Sequence, residues 1–348
     1  MNIEKIQEEL KKDEYKFLSD NPLLGDNVCL LTLGGSIAYG TDIETSDIDI
    51  RGITLESPKD IIGFGTFEQF NDNQTDTVIY GFNKIINLLT NCNPNIIEML
   101  GCKPEHYLKV NDIGKSLLSN RDMFLSQKAI FTFGGYALAQ LNRFRDSLGV
   151  HNDEVENLVR SMNAALYTFE GRYKSFEHGS INIRNLNDFG NKQAVVDITL
   201  KDFPVREFSG ISNELYNIVK SYDKINSRNS KKDAAHINKH AMHLVRLYMM
   251  GSDILTKGEI NTYRENDREI LMDIRNGKYL NEDNTFNSAF FDLKDEFAKK
   301  FDYAAKHTIL PVKPDYERIE SFKMSVNRKI IENEHSITKG SELIEFER

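Results

Sequence analysis

The stretch that most constrains the fold runs from Val28 to Ile53, where a glycine turn separates two segments with strand character. Val28–Leu33 is an apolar run of strand length, which predicts a strand covered on both faces. Gly34 and Gly35 allow a tight turn with positive φ and let a ligand's phosphates approach the backbone. Ser36 adds a hydroxyl at the start of a short helical turn. Together these residues predict a phosphate-binding turn.

The second segment, Ser46–Ile50, alternates polar and apolar residues. In a strand, this period of two places Asp47 and Asp49 on one face and the two isoleucines on the other. Two carboxylates about 6–7 Å apart repel each other, and a bound divalent ion removes that cost. Oxygen-only ligands facing a phosphate-binding turn favour Mg²⁺ or Mn²⁺.

This order of strand, Gly-Ser turn and Asp-x-Asp resembles the signature of the DNA polymerase β superfamily of nucleotidyltransferases. The longer segments GSIAYGT, SDIDIRG and NPNIIEML are similar to predicted nucleotidyltransferases associated with RNA ligases in bacteria and phages. The similarity continues through KHAMHLVRL, LTKGEI and IRNGKY. The resemblance implies an α+β fold, in which a polymerase-β-like nucleotidyltransferase sheet with flanking helices is followed by a mostly helical C-terminal domain.

The same resemblance implies transfer of an NMP from an NTP, such as ATP, to an acceptor hydroxyl with release of pyrophosphate. Asp47 and Asp49 would contact two Mg²⁺ or Mn²⁺ ions, and Gly35 and Ser36 would bind the nucleotide. The association with RNA ligases points to an RNA 3′ end as the acceptor. The alternatives are a small molecule, a protein hydroxyl or synthesis of a signalling oligonucleotide. A catalytically silent nucleotide- or RNA-binding scaffold is an alternative of another class.

A third carboxylate is expected from the strand that follows the Asp-x-Asp pair. The segment Thr75–Phe82 has strand character through its branched and aromatic residues, and Asp76 stands at its start. The resemblance therefore assigns Asp76 to the catalytic ion, where it would help to deprotonate the attacking hydroxyl. Asp72 and Glu68 are neighbouring alternatives, and a cap on an exposed strand end is the alternative role for Asp76.

From Asp112 onward the apolar spacing is almost entirely helical. The exceptions are short β-like runs at Ser180–Ile183 and Val195–Leu200. We therefore predict a nucleotidyltransferase catalytic domain over residues 1–105 and a helical domain over residues 106–348, with a small hairpin near residues 180–200.

The helix predicted over His236–Met250 has an apolar stripe, with Lys239, His243 and Arg246 on the opposite side. The resemblance implies that the two cations contact the β- and γ-phosphates of the NTP, with His243 beside them. The alternative is an ordinary solvated surface. Zinc binding by the histidines of this helix is not expected, because the Glu of HExxH is missing.

Charge and composition limit the partners. The net charge of −9 should repel nucleic acid at long range, so any RNA contact must be local. A basic cluster before this helix would guide an RNA end into the site or form a solvated loop. It consists of Lys220, Lys224, Arg228, Lys231 and Lys232. No apolar run approaches the roughly 18 residues of a membrane span, and the charged N-terminal segment does not resemble a signal peptide. We therefore expect a cytoplasmic protein, and the sequence does not indicate its oligomeric state.

Overall fold

The computed structural model describes residues 3–147, 158–159, 162–163, 165–166, 181–188, 191–226, 234–282 and 285–337. The chain divides into two compact units, each assembled from separate segments. The first unit comprises Met1–Phe133, Tyr248–Leu271 and Ala298–Arg348, and the second comprises Gly134–Leu247 and Met272–Phe297. The sequence predicts a catalytic domain up to residue 105 and a helical domain after it. This division by function stays a prediction.

A five-stranded mixed sheet with the strand order β3-β4-β2-β1-β5 forms the first unit. The strands are β1 Val28–Leu33, β2 Ile50–Thr54, β3 Gln69–Asp72, β4 Thr77–Gly81 and β5 Tyr107–Val110. Neighbouring strands are antiparallel, except that β2 and β4 are parallel.

The sheet extends beyond its predicted end near residue 105, because β5 pairs with β1. Asn111 N–H also donates to the Cys29 carbonyl oxygen at 3.0 Å, directly after this strand. The four residues of β5 are too few to give a clear strand pattern in the sequence. Residue 105 therefore lies before the last strand of the sheet.

Strand β1 lies inside the sheet, and all of its residues are buried. Leu33, Ile50 and Ile79 form the core beneath the candidate site, with Ile37 and Ile6 packed into the same cluster. Each such aliphatic side chain stabilises the fold by roughly 1.5–3 kcal/mol when fully buried. The N-terminal helix thus packs against this sheet through Ile6, as its amphipathic pattern predicts.

Helices make up most of the remainder. The described α-helices are Ile3–Glu9, Phe17–Asp20, Gly35–Tyr39, Pro58–Ile61, Phe82–Thr90, Pro94–Ile97, Asp112–Ser119, Lys128–Ser147, Val205–Asn226, Ala234–Lys257, Arg268–Arg275, Ser288–Lys306 and Tyr316–Ile337. None of the helices within the described ranges has both the length and the apolar character that crossing a bilayer requires. This mixture of one sheet and many helices is the α+β class predicted from the sequence.

The second unit contains an antiparallel hairpin where the sequence has its two short β-like runs. Its strands are β6 Ile181–Asp188 and β7 Asn191–Ile198. Ile181 pairs with Ile198 and Asp188 with Asn191. Ile181 and Ile183 are buried against Ile211 of the helix Val205–Asn226.

Candidate active site

The predicted phosphate-binding turn is the start of a short helix directly after β1. Gly35 opens this helix with φ of +54°. A Cβ atom at Gly35 would lie 1.8 Å from Asp49 Oδ2, so a side chain there would collide with the carboxylate. Gly34 N–H donates to the Asp49 carbonyl oxygen at 2.8 Å. The turn and the second acid of the Asp-x-Asp pair are therefore held together by both backbone and side-chain contacts.

Asp47 and Asp49 precede β2, whereas the sequence pattern placed them inside that strand. The strand begins at Ile50, where the ladder to β4 begins with the pair Ile50–Thr77. The predicted alternation still holds, because Ile48 and Ile50 are buried and Asp47 is exposed. The side chain of Asp49 is 18% exposed. The acids thus lie on an extended segment that leads into the sheet.

Asp76 occupies the corresponding position before β4. It has φ of +44°, in the left-handed region that Asp tolerates better than most residues. The parallel register pairs Ile50 with Thr77, so Asp49 and Asp76 each come one residue before the same pair. Ile50 N–H donates to the Asp76 carbonyl oxygen at 3.3 Å. Strand pairing therefore brings Asp49 and Asp76 together at the N-terminal ends of β2 and β4.

Arg51 lies between these two carboxylates. Its Nη2 atom is 3.4 Å from Asp49 Oδ1 and 3.2 Å from Asp76 Oδ1. Its Nη1 atom donates to the carbonyl oxygens of Ile50 and Asp76. Arg51 was not among the predicted site residues, although it comes two residues after Asp49 in SDIDIRG.

The two alternative acids have other contacts. Asp72 Oδ2 accepts hydrogen bonds from Thr75 N–H at 2.9 Å and from Thr75 Oγ1 at 2.7 Å, which closes the turn before β4. Glu68 pairs with Lys84 at 2.7 Å, and this hydrogen bond lowers the pKa of Glu68. The geometry therefore favours Asp76 as the third acid, and its catalytic role stays a prediction.

The acids fit a hard divalent cation by their chemistry, because Asp47, Asp49 and Asp76 offer only carboxylate oxygens. Within the part of the chain that the structure describes, no three His, Cys, Asp or Glu side chains are grouped so that they could hold a metal ion. The Arg51 guanidinium supplies the positive charge beside two of the acids. A divalent ion held by Asp49 and Asp76 would repel the Arg51 guanidinium, which would have to withdraw.

Residues of NPNIIEML and of the segment between LTKGEI and IRNGKY support the turn. The Tyr39 hydroxyl donates to Glu98 Oε1 at 2.7 Å, which ties the helix after the turn to NPNIIEML. Gly40, with φ of +74°, ends that helix against the ring of Tyr263, which would lie 2.6 Å from an added Cβ atom. Arg268 Nε donates to the Gly40 carbonyl oxygen at 2.7 Å. These contacts fix the C-terminal end of the short helix that carries Ser36.

In the second unit, the side of the helix Ala234–Lys257 that carries Lys239, His243 and Arg246 is only partly a solvated surface. Arg246 is only 4% exposed, whereas Lys239 is exposed. Burial holds the pKa of His243 well below its usual value, and neighbouring positive charges lower it further. In order of effect, these charges belong to Arg246, Lys239, His240 and Arg275. His243 is therefore neutral at pH 7 within a cluster of cations.

Arg275 was not among the predicted site residues, although it lies in the motif IRNGKY. The structure explains part of that motif. Gly277 has φ of +82°, and an added Cβ atom there would lie 3.0 Å from Asn238 Nδ2. Asn238 is itself buried on the helix that carries Lys239. The motif thus packs beside the predicted triphosphate-binding residues of this helix.

The basic cluster before this helix is only partly described. Lys220 and Lys224 belong to the helix Val205–Asn226. Arg228, Lys231 and Lys232 lie outside the described residues.

A mixed sheet with a glycine turn after one strand and acids at the starts of two neighbouring strands is the arrangement that the resemblance to polymerase-β-like nucleotidyltransferases predicts. A model of the RlaP family, described as the RNA repair pathway DNA polymerase beta family, matches residues 3–325. The chain belongs to this family. A comparison with curated proteins found no match.

Proposed function

We propose that the protein is a metal-dependent nucleotidyltransferase that transfers an NMP from an NTP to an RNA 3′ end and releases pyrophosphate. The observation that carries the proposal is the parallel register of β2 and β4, which brings Asp49 and Asp76 together beside the glycine turn. Membership of an RNA repair family supports RNA as the acceptor. A cytoplasmic location fits this role and is part of the proposal.

The acids provide the ligands for the ions. Asp47 and Asp49 would hold both Mg²⁺ or Mn²⁺ ions, and Asp76 would hold only the one at the acceptor. When bound, the ions offset the charge of the triphosphate and make the acceptor hydroxyl a better nucleophile. Asp49 is fixed relative to the glycine turn by the bond from Gly34 N–H. This contact sets the distance between the metal ligands and the nucleotide-binding residues Gly35 and Ser36.

We assign the β- and γ-phosphates to Lys239 and Arg246, and we add Arg275 to this set. Arginine presents a planar fork of donors that matches phosphate oxygens, and such charge-assisted bonds also stabilise the departing pyrophosphate. His243 is neutral in this cluster, so it adds a hydrogen-bonding group without adding charge. Bound phosphate would offset the repulsion among the neighbouring cations.

Transfer can be tested with each of the four α-labelled NTPs and Mg²⁺, in the presence of RNA with a 3′ hydroxyl. We expect label to enter the RNA and pyrophosphate to appear in equal amount. The same RNA ending in a 3′ phosphate is the matched control, because it lacks the attacking hydroxyl and should stay unlabelled.

The same assay separates the other acceptors. Labelled oligonucleotide formed without RNA would indicate signalling-oligonucleotide synthesis, and labelled protein would indicate a protein hydroxyl. NTP binding without pyrophosphate release under any of these conditions would instead identify a silent scaffold and refute the proposal.

A further inference from the structure

Arg51 holds a position that neither the proposed reaction nor the family match explains. It lies on β2, paired with Thr32 on one side and Val78 on the other. Its side chain is 24% exposed, so most of its length is enclosed while its guanidinium contacts two carboxylates. The Asp49 side chain is 18% exposed and that of Asp76 is 58% exposed, so the guanidinium interacts more strongly with Asp49 than with Asp76.

The backbone contacts of Arg51 bear on the conformation of Asp76. A left-handed conformation is unfavourable for a residue other than glycine, and Asp76 adopts one. The Arg51 Nη1 atom donates to the carbonyl oxygen of this same residue. This bond offsets part of the cost and holds the turn that aims Asp76 toward Asp49.

The side-chain contacts of Arg51 bear on charge. Two ionised carboxylates at one edge of a sheet repel each other unless a cation lies between them. Arg51 Nη2 is within 3.4 Å of an oxygen of Asp49 and 3.2 Å of an oxygen of Asp76. The guanidinium can therefore offset the repulsion between the two acids and hold them close together.

We propose that Arg51 is a positioning residue, which holds Asp76 in register with Asp49 and acts as the internal counter-cation of this acid pair until a divalent ion binds. The inference rests on the proposed function for the identity of the ion site. Binding of the ion would displace Nη2 from the carboxylates while the Nη1 bonds to the backbone stay. The site would thus be preassembled, with one cation exchanged for another.

A thermodynamic cycle in metal-free protein tests the counter-cation role without any catalysis. In EDTA, Arg51→Met should lower the Tm, because the repulsion between the acids is no longer offset. Adding Asp76→Asn to Arg51→Met removes one of the two like charges and should recover part of the lost Tm. The Tm change of the double variant is compared with the sum of the changes measured for Arg51→Met and Asp76→Asn alone. Equality would show that Arg51 acts on the fold independently of the acids and would overturn the proposal.

Titration with Mn²⁺ alone provides the second readout. The rise in Tm on adding saturating Mn²⁺ should be larger for Arg51→Met than for wild type, because the ion then supplies the only cation for the pair. An equal or smaller rise would overturn the exchange of cations. Should Arg51→Met fail to fold, Arg51→Gln serves the same comparison, since its amide removes the positive charge and keeps N–H donors for the backbone carbonyl oxygens.

The positioning role predicts a particular kinetic pattern. A displacement of about 1 Å at a reacting group can cost about 100-fold in rate. We therefore expect kcat of Arg51→Lys to fall by roughly 10- to 100-fold, with KM for the NTP little changed, because Asp76 serves the ion at the acceptor. A rise in KM with unchanged kcat would contradict this role. Inactive wild-type protein would refute the proposed function, while the metal-free cycle would still decide the role of Arg51.

Discussion

Replacing Gly35 with Ala tests whether the glycine turn and the acid pair form one unit. The added methyl would meet Asp49 Oδ2 at 1.8 Å and Cγ at 2.5 Å. Displacing packed atoms in this way typically costs about 1–3 kcal/mol. The left-handed φ of +54° adds about 1–2 kcal/mol for a residue with a Cβ atom. We therefore expect the free energy of unfolding to fall by roughly 2–5 kcal/mol.

The measurement is urea unfolding in EDTA, followed by circular dichroism. Gly135→Ala is the matched control, because Gly135 lies in a long helix and no atom is within 4 Å of its added Cβ. Alanine is favoured over glycine in a helix by roughly 0.5–1 kcal/mol, so this control should be unchanged or stabilised.

The steric part of the loss can be isolated by also changing Asp49 to Ala. This change removes Oδ2 and Cγ and leaves the Asp49 Cβ atom 3.2 Å from the new methyl. The double variant Gly35→Ala/Asp49→Ala should recover about 1–3 kcal/mol relative to the sum of the two single changes. Strictly additive losses, or a Gly35→Ala variant as stable as Gly135→Ala, would refute the proposed packing of turn and acid.

Further predictions concern the chemistry and its pH dependence. Asp49→Asn should abolish transfer while the protein stays folded, because an ion that supplies several kcal/mol of transition-state stabilisation loses a charged ligand; near-normal turnover would contradict the mechanism. Asp76→Ala should lower kcat far more than NTP affinity. Asp72→Ala should leave kcat unchanged and lower stability by about 0.5–2 kcal/mol, because the side-chain contact that closes the turn is lost. A larger loss of kcat in Asp72→Ala than in Asp76→Ala would move the third acid to Asp72. Lys239→Ala should weaken NTP binding by roughly 1–3 kcal/mol and leave AMP binding almost unchanged; calorimetry with both ligands decides, and equal losses would remove the triphosphate assignment. The pKa of His243 is lowered in the fold, whereas in the unfolded chain a histidine has a pKa of about 6.5. As the pH falls below 6.5, the unfolded chain therefore binds more protons than the folded protein, which lowers the free energy of unfolding. The free energy of unfolding should therefore decline less below pH 6.5 in His243→Gln than in wild type, and identical pH profiles would contradict a buried neutral histidine.

Local features of the site could be predicted from the sequence because they depend on neighbouring residues. Strand β1 has the bounds of the apolar run Val28–Leu33, since a strand covered on both faces needs no alternation. The turn at Gly35 follows from the backbone freedom of glycine. The alternation correctly separated the exposed Asp47 and the partly exposed Asp49 from the buried Ile48 and Ile50. The pattern did not reveal where the strand begins, because that depends on its hydrogen-bonded partner.

The sequence by itself therefore determined the fold class, the family resemblance and the glycine turn with its pair of acids. Only the tertiary structure decided which residues from elsewhere in the chain join them. The parallel pairing of β2 with β4 places Asp76 beside Asp49 and brings both into reach of Arg51. The helical spacing of the sequence likewise did not predict that Arg246 is buried, because the same spacing is compatible with a solvated surface. Residue spacing indicates which face of a strand or helix a side chain occupies, but the partner of that face is set by long-range packing.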